Sequence, residues 1–152
     1  MPITVREDAI VQEVVIKAPA ERIFRALTRP EELLGWWAAE GKFQVIEAEC
    51  DLQPGGKWRM RVAGRCGVES PQVSTVHGEY RVVDPPRLLT YSWIRENENW
   101  PETLVRWDLK EEAGCTTVRV THSGLVSEAL RQRNSGWPTV LGLLQTWVET
   151  GS

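Results

Sequence analysis

A chain of 152 residues suits one domain and is long enough to bury about two-thirds of the surface its unfolded form exposes. Hydrophobic residues make up 41% and charged residues 26%, a globular balance, and a formal net charge of −3 gives nothing to recruit nucleic acid or an anionic membrane. No apolar run approaches the roughly 18 residues of a spanning helix, and MPITVREDAIVQEVVIKAP at the start carries acids and no apolar h-region of a secretory signal.

In chain order, VQEVVIKA (Val11 to Ala18) reads as a strand rich in β-branched residues. Pro19 can open a helix at its first position, with Ala18 as a poor N-cap, and AERIFRALT then sets Ile23, Phe24 and Leu27 on one side. Pro30 restarts a second short helix, EELLGWW, with Glu31 and Glu32 favourably placed in its first turn. After Gly41 the period becomes alternating. The predicted strands are Lys42–Cys50, Lys57–Ala63, Ser74–Asp84, Leu88–Ile94, Thr103–Glu111 and Thr116–Ser123, joined by PGG, DPP and EEAG turns. Such a succession implies an antiparallel meander. The last segment, GWPTVLGLLQTWVE, spaces Trp137, Val140, Leu141, Leu144, Trp147 and Val148 as a helix face.

Alternation also says which side chains face inward: Trp58, Met60 and Val62; Leu89, Tyr91 and Trp93; Val105, Trp107 and Leu109; Val118, Val120 and His122. Eight tryptophans against two Phe and two Tyr is the unusual count, because indole suits places that are apolar on one side and polar on the other.

His122 is the one ionisable residue placed on an inner face. It could orient a ligand carbonyl or act as a general base, but a hydrogen-bonded core imidazole is the commoner outcome for such a position. His77 shares its face with Thr75, Glu79 and Arg81 and is expected at the solvent side. Glu47 and Glu49 fall on the face of Phe43 and Val45, and a carboxylate pair at this spacing is far more often a solvated face than a catalytic dyad. Glu111 and Glu112 adjoin a turn and are expected to mean little. DLQPGG lacks the GxxxxGK[ST] pattern of a phosphate loop, and no HExxH, GxSxG or CxxC occurs. Cys50, Cys66 and Cys115 are odd in number and widely spaced, as expected of reduced thiols in the cytoplasm; Cys50 and Cys66 would meet only if their strands pair. No catalytic residue, metal site or cofactor is expected.

APAERIFRALTRPEELLGWW, DLQPGGKWRMRV, GEYRVVDPPRLLTYSW, ETLVRWDLKEEAGCTTVRVTHSGL and the final GWPTVLGLLQTWVE together resemble the bacterial single-domain proteins similar to the activator of heat-shock-protein-90 ATPase, in the START-like (SRPBCC) superfamily. The likeness runs from about residue 11 to 149 of a single domain spanning 1–152. It implies an α+β helix-grip fold: a curved antiparallel sheet of six to seven strands around a long C-terminal helix, with two short helices after the first strand. It also implies a cavity between sheet and helix. Placed there, Trp36, Trp58, Met60, Tyr91, Trp93, Trp107, His122, Trp137, Leu141 and Leu144 form the candidate ligand-binding set. Trp37, three residues after Leu34 and four after Leu33, lies nearer the centre of its helix stripe and is expected in the core, with Trp36 at the edge, at the cavity mouth or over a surface seam.

Three functions follow from this reading. The first is non-catalytic binding of a hydrophobic or aromatic small molecule. The second is co-chaperone-like stimulation of the heat-shock-protein-90 ATPase; the eukaryotic activators also carry a separate N-terminal domain, for which this chain leaves no room. The third is a cyclase or aromatase acting on a polyketide-like substrate, with His122 or Tyr91 moving a proton. Unpaired sheet edges or exposed tryptophans would support a homodimer.

Overall fold

The alternating segments pair into one curved antiparallel sheet in a computed structural model that describes residues 9–39, 43–64, 73–96, 101–133 and 136–150. Its strands are β1 (Ala9–Ile16), β2 (Ala38–Ala39), β3 (Phe43–Cys50), β4 (Lys57–Gly64), β5 (Val73–Asp84), β6 (Leu88–Arg95), β7 (Thr103–Glu112) and β8 (Cys115–Ser123), in the order β1-β8-β7-β6-β5-β4-β3-β2. The helices are α1 (Ala20–Thr28), α2 (Pro30–Trp36), α3 (Glu128–Arg133) and α4 (Trp137–Thr150). Seven full strands, two short helices after the first and a long last helix are the expected helix-grip arrangement. The two-residue β2 and the six-residue α3 were not expected from the sequence.

The inner face is the one alternation indicates. Trp58, Met60, Leu89, Tyr91, Trp93, Val105, Trp107, Leu109, Val118, Val120 and His122 are all buried, and Val140, Leu141, Leu144 and Val148 of α4 close over them. Full burial of each such aliphatic side chain contributes about 1.5–3 kcal/mol, which is what holds helix to sheet.

Three local expectations are corrected. First, β1 ends at Ile16 and the N-cap of α1 is Pro19, not Ala18; Pro19 holds extended backbone (φ −71°, ψ 152°) and offers no side-chain acceptor. The cap comes from the far end of β7: Glu111 Oε1 accepts the Ala20 backbone N–H at 2.8 Å. Glu111 is thus more than a turn neighbour. Its charge also complements the positive end of the helix.

Second, a bulge between Val45 and Glu47 on β3 breaks the alternation. Val45 is buried, Ile46 is exposed, and beyond the bulge Ala48 and Cys50 turn inward. Glu47 and Glu49 therefore do not share the face of Val45. They point outward opposite Arg61 and Arg59, and Glu47 pairs with Arg61. One extra residue in a strand has this effect because side chains change sides at every step.

Third, both adjacent tryptophans are buried. Helix α2 stops at Trp36, and Trp37 lies in extended backbone (φ −72°, ψ 105°), so the 100° helical offset between them does not apply. The Trp36 indole donates to the Ala26 carbonyl oxygen of α1 at 2.9 Å and fills the seam between the two short helices. Trp37 enters the space between sheet and α4.

Helix α2 is fastened to α4 through Gly35. The half-buried Trp147 ring lies so close that a Cβ at Gly35 would sit 2.4 Å from it, and the same indole donates to Glu32 Oε1 at 2.8 Å. Burial pushes the Glu32 carboxyl up, but the Trp147 N–H and the cations Arg22 and Arg25 outweigh it and hold the group below the usual carboxylate range.

Candidate functional site

Seven aromatic groups meet where α4 begins over the middle of the sheet. Trp137, the first residue of α4, packs against Trp37 (5.9 Å between ring centroids), Trp93 (6.1 Å), Trp107 (5.7 Å) and His122 (5.6 Å). Trp93 in turn touches Trp37, His122 and Trp58, at 6.2, 5.8 and 5.4 Å. Trp58 lies edge-on to Tyr91 at 5.0 Å. Most of these contacts are edge-to-face or tilted, the arrangement the ring quadrupole favours.

A chain of hydrogen bonds threads the rings. Trp137 Nε1–H can only donate, and its partner is His122 Nδ1 at 3.1 Å, so that nitrogen is the unprotonated one. The proton then sits on Nε2, which donates to Thr103 Oγ1 at 2.7 Å, and the threonine hydroxyl donates on to the Trp93 carbonyl at 3.4 Å. Thr103 reaches His122 because the β7–β8 register puts Val105 opposite His122 and Thr103 diagonal to it. Burial, with the Arg95 cation nearby, pushes the imidazole down to about 3. At neutral pH His122 is an uncharged ring with both nitrogens engaged, and neither is free to take a proton from a substrate.

Sheet pairing between β5 and β6 is interrupted beside this cluster. Trp58 Nε1–H donates to the Ser92 carbonyl at 3.2 Å, and the Glu79 backbone N–H turns to the Ser92 hydroxyl at 2.9 Å. Gly78 makes this crossing possible, since a Cβ there would lie 1.8 Å from the Ser92 oxygen and 2.7 Å from Trp58 Nε1. Further along, Tyr91 Oη accepts from Trp107 Nε1–H at 2.9 Å. Burial raises the Tyr91 phenol above its usual range, so it stays protonated. The Cys50 thiol beside Tyr80 is raised by burial as well; Cys66 lies outside the described residues.

Nine of the ten candidate residues converge on this interface: Trp58 and Met60 from β4, Tyr91 and Trp93 from β6, Trp107 from β7, His122 from β8, and Trp137, Leu141 and Leu144 from α4. None is more than 7% exposed. Trp36 is the tenth, and its ring touches Trp37 (5.2 Å) in the α1–α2 seam. Trp37, Thr103 and Ser92 belong to the cluster and were not among the candidates. Thr103 could have been found, since it stands at the inward parity of Val105, Trp107 and Leu109. His77 faces Glu96 at the half-exposed outer side, as expected.

One concavity, of about 800 Å³, lies on the opposite, outer face of the sheet. It is bordered by the ion pairs Arg119–Glu13, Arg106–Asp108 and Arg87–Asp84 and by none of the ten candidates. Among the described residues no group of three or more His, Cys, Asp or Glu is placed to hold a metal ion, and no helix is long and apolar enough to cross a membrane.

Residues 17–149 match the family model of the Activator of Hsp90 ATPase homolog 1-like protein. The chain belongs to that family. Comparison with curated proteins found no match. Among solved structures it is similar to protein CV1439 from Chromobacterium violaceum, with 24% identity over 95% of this chain and 99% of that one and a TM-score of 0.81. It is similar to the AHSA1-like protein from Aeromonas hydrophila at 24% identity, 94% and 93% coverage and a TM-score of 0.74. DynU16, a protein in the dynemicin biosynthetic locus, matches at 24% identity and a TM-score of 0.72 over 95% of this chain and 48% of that one. At this identity the three likenesses show the shared fold.

Proposed function

We propose that this family member is a non-catalytic, cytoplasmic binding domain for a flat hydrophobic or aromatic small molecule, held between the inner face of the sheet and α4. The observation that carries this reading is the ring set Trp37, Trp58, Tyr91, Trp93, Trp107 and Trp137, which concentrates indole area at one helix–sheet interface. Such a lining offers area burial and ring contacts to a planar guest. The engagement of both His122 nitrogens and the protonated state of Tyr91 favour binding over proton-transfer chemistry. The fold shared with DynU16, from the dynemicin biosynthetic locus, supports a small molecule as the partner class.

Native and denaturing mass spectrometry of the protein purified from its own host tests this. The expected result is a stoichiometric small mass present in the native spectrum and released on denaturation. An apo mass in both, together with no thermal shift on adding planar aromatics, would overturn the reading.

The family match itself favours a second reading, stimulation of the heat-shock-protein-90 ATPase. Its test is direct: the ATPase rate with and without added protein, where an unchanged rate at saturating protein rejects it.

A further inference from the structure

Six described tryptophans have indole N–H groups whose fate can be stated. Trp36 donates to the Ala26 carbonyl, Trp58 to the Ser92 carbonyl, Trp107 to Tyr91 Oη, Trp137 to His122 Nδ1 and Trp147 to Glu32. The sixth is Trp93. Its Nε1 is buried without a partner, the one such side-chain nitrogen or oxygen among the described residues, in a side chain that is 7% exposed. A buried donor left unmade is costly, and native interiors rarely keep one without a reason. Its position gives one. Trp93 stands in the middle of the ring cluster, with Trp37, Trp58, Trp137 and His122 around it.

The electrostatics beside it point the same way. The Arg95 guanidinium lies 5.4 Å from the Trp93 ring centroid, a cation–π contact that also makes the indole N–H a stronger donor by drawing on the ring's electrons. The His122 lone pair cannot serve Trp93, because Trp137 already occupies Nδ1 and Nε2 carries its own proton. The Ser92 and Trp93 carbonyls accept from Trp58 and Thr103, and neither oxygen makes a bond to Trp93 Nε1. The immediate neighbours thus bond to one another and leave this donor over.

We propose that Trp93 Nε1 is the polar anchor of the binding site, and that the ligand is a planar aromatic ketone or quinone whose carbonyl oxygen accepts this N–H. The inference rests on the binding reading above and narrows it. A pure hydrocarbon would fill the same space and leave the donor unmade, so recognition would turn on the oxygen. This is the asymmetry by which a site built to hydrogen-bond a group rejects an analogue lacking it.

The test compares naphthalene with 2-acetylnaphthalene, which adds one carbonyl to the same ring system. Affinities are read by calorimetry for the wild type and for Trp93→Phe, which keeps an aromatic ring and removes the donor. The cost of parting the protein's rings is common to both probes, so it largely cancels. The wild type is expected to prefer the ketone by about tenfold or more, and Trp93→Phe to lose that preference, its affinities for the two probes becoming about equal whatever their absolute level. Equal binding of both probes by the wild type, or an unchanged preference in Trp93→Phe, overturns the anchor and leaves the binding reading standing. Binding of neither probe by the wild type overturns both. Should Trp93→Phe fail to fold, the infrared carbonyl stretch of the ketone bound to wild type decides. A frequency below that in cyclohexane supports the bond, and an equal frequency refutes it.

Discussion

On the outer face of β7 and β8, charge is paired in water; on the inner face of the same strands, neutral polar groups are paired in the dry. Arg106 with Asp108 and Arg119 with Glu13 are each 39–56% exposed, so solvent and salt compete with every bond they make. The Trp137 indole N–H, the His122 ring, the Thr103 hydroxyl and the Trp93 carbonyl have no such competitor, and each one's partner is fixed by the next. The outer face tolerates exchange one residue at a time. The inner face behaves as a unit, because removing one member strands its neighbours' donors.

The largest way to break this comparison is Trp107→Ala. It opens a cavity under α4 and strips Tyr91 Oη of its donor, and it should cost about 3–5 kcal/mol in urea denaturation. A smaller loss, near that of a surface pair, would mean the inner face is loosely packed.

Acid sharpens it next. Folded His122 stays neutral down to about pH 3, whereas the unfolded side chain takes a proton below its ordinary value of 6.5. The unfolded state therefore binds more protons in that window. The stability His122 confers is fully present above pH 6.5 and is lost as pH falls toward 3, by about 1.4 kcal/mol per pH unit. Between pH 6.5 and 5, above the carboxylate range, His122→Asn should flatten this slope in denaturation curves, while lowering stability at pH 7.

Glu111 stands between the two faces, an exposed side chain with a structural bond. Glu111→Ala should cost about 0.5–2 kcal/mol and raise amide exchange in the first turn of α1. The smallest effect belongs to the outer face: Arg119→Ala should cost about 0–1 kcal/mol, less still at high salt. A larger, salt-insensitive loss there would remove the distinction between the faces.

Most of the sheet was legible in the sequence, because alternation over eight residues leaves little choice about which side is wet. Where it misled, the physical cause is local. In FQVIEAEC the apolar residues Val45 and Ile46 are adjacent and Ala48 and Cys50 follow at the other parity, so the slip of the bulge is written there, though not its position. The burial of both Trp36 and Trp37 depends on where α2 ends, a boundary set by tertiary packing that propensity does not mark. The site was legible as a list of inward residues and not as a network. Nothing in the sequence says that Trp137 reaches His122, since 15 residues and a change of element separate them. The orphaned Trp93 donor was illegible for a stronger reason: a missing partner is a property of every neighbour at once.

The Glu111 cap bears on the order of folding. Helix α1 has nine residues, fewer than the roughly 12–15 a helix needs to persist alone in water, and its capping acceptor lies 91 residues downstream. As the ribosome delivers the chain, the segment holding α1 and α2 emerges long before β7 exists. Until β7 arrives, the Ala20 N–H has only water to bond. The first turn of α1 is therefore capped only when β7 brings its acceptor home, which ties the end of the helix to a contact distant in sequence.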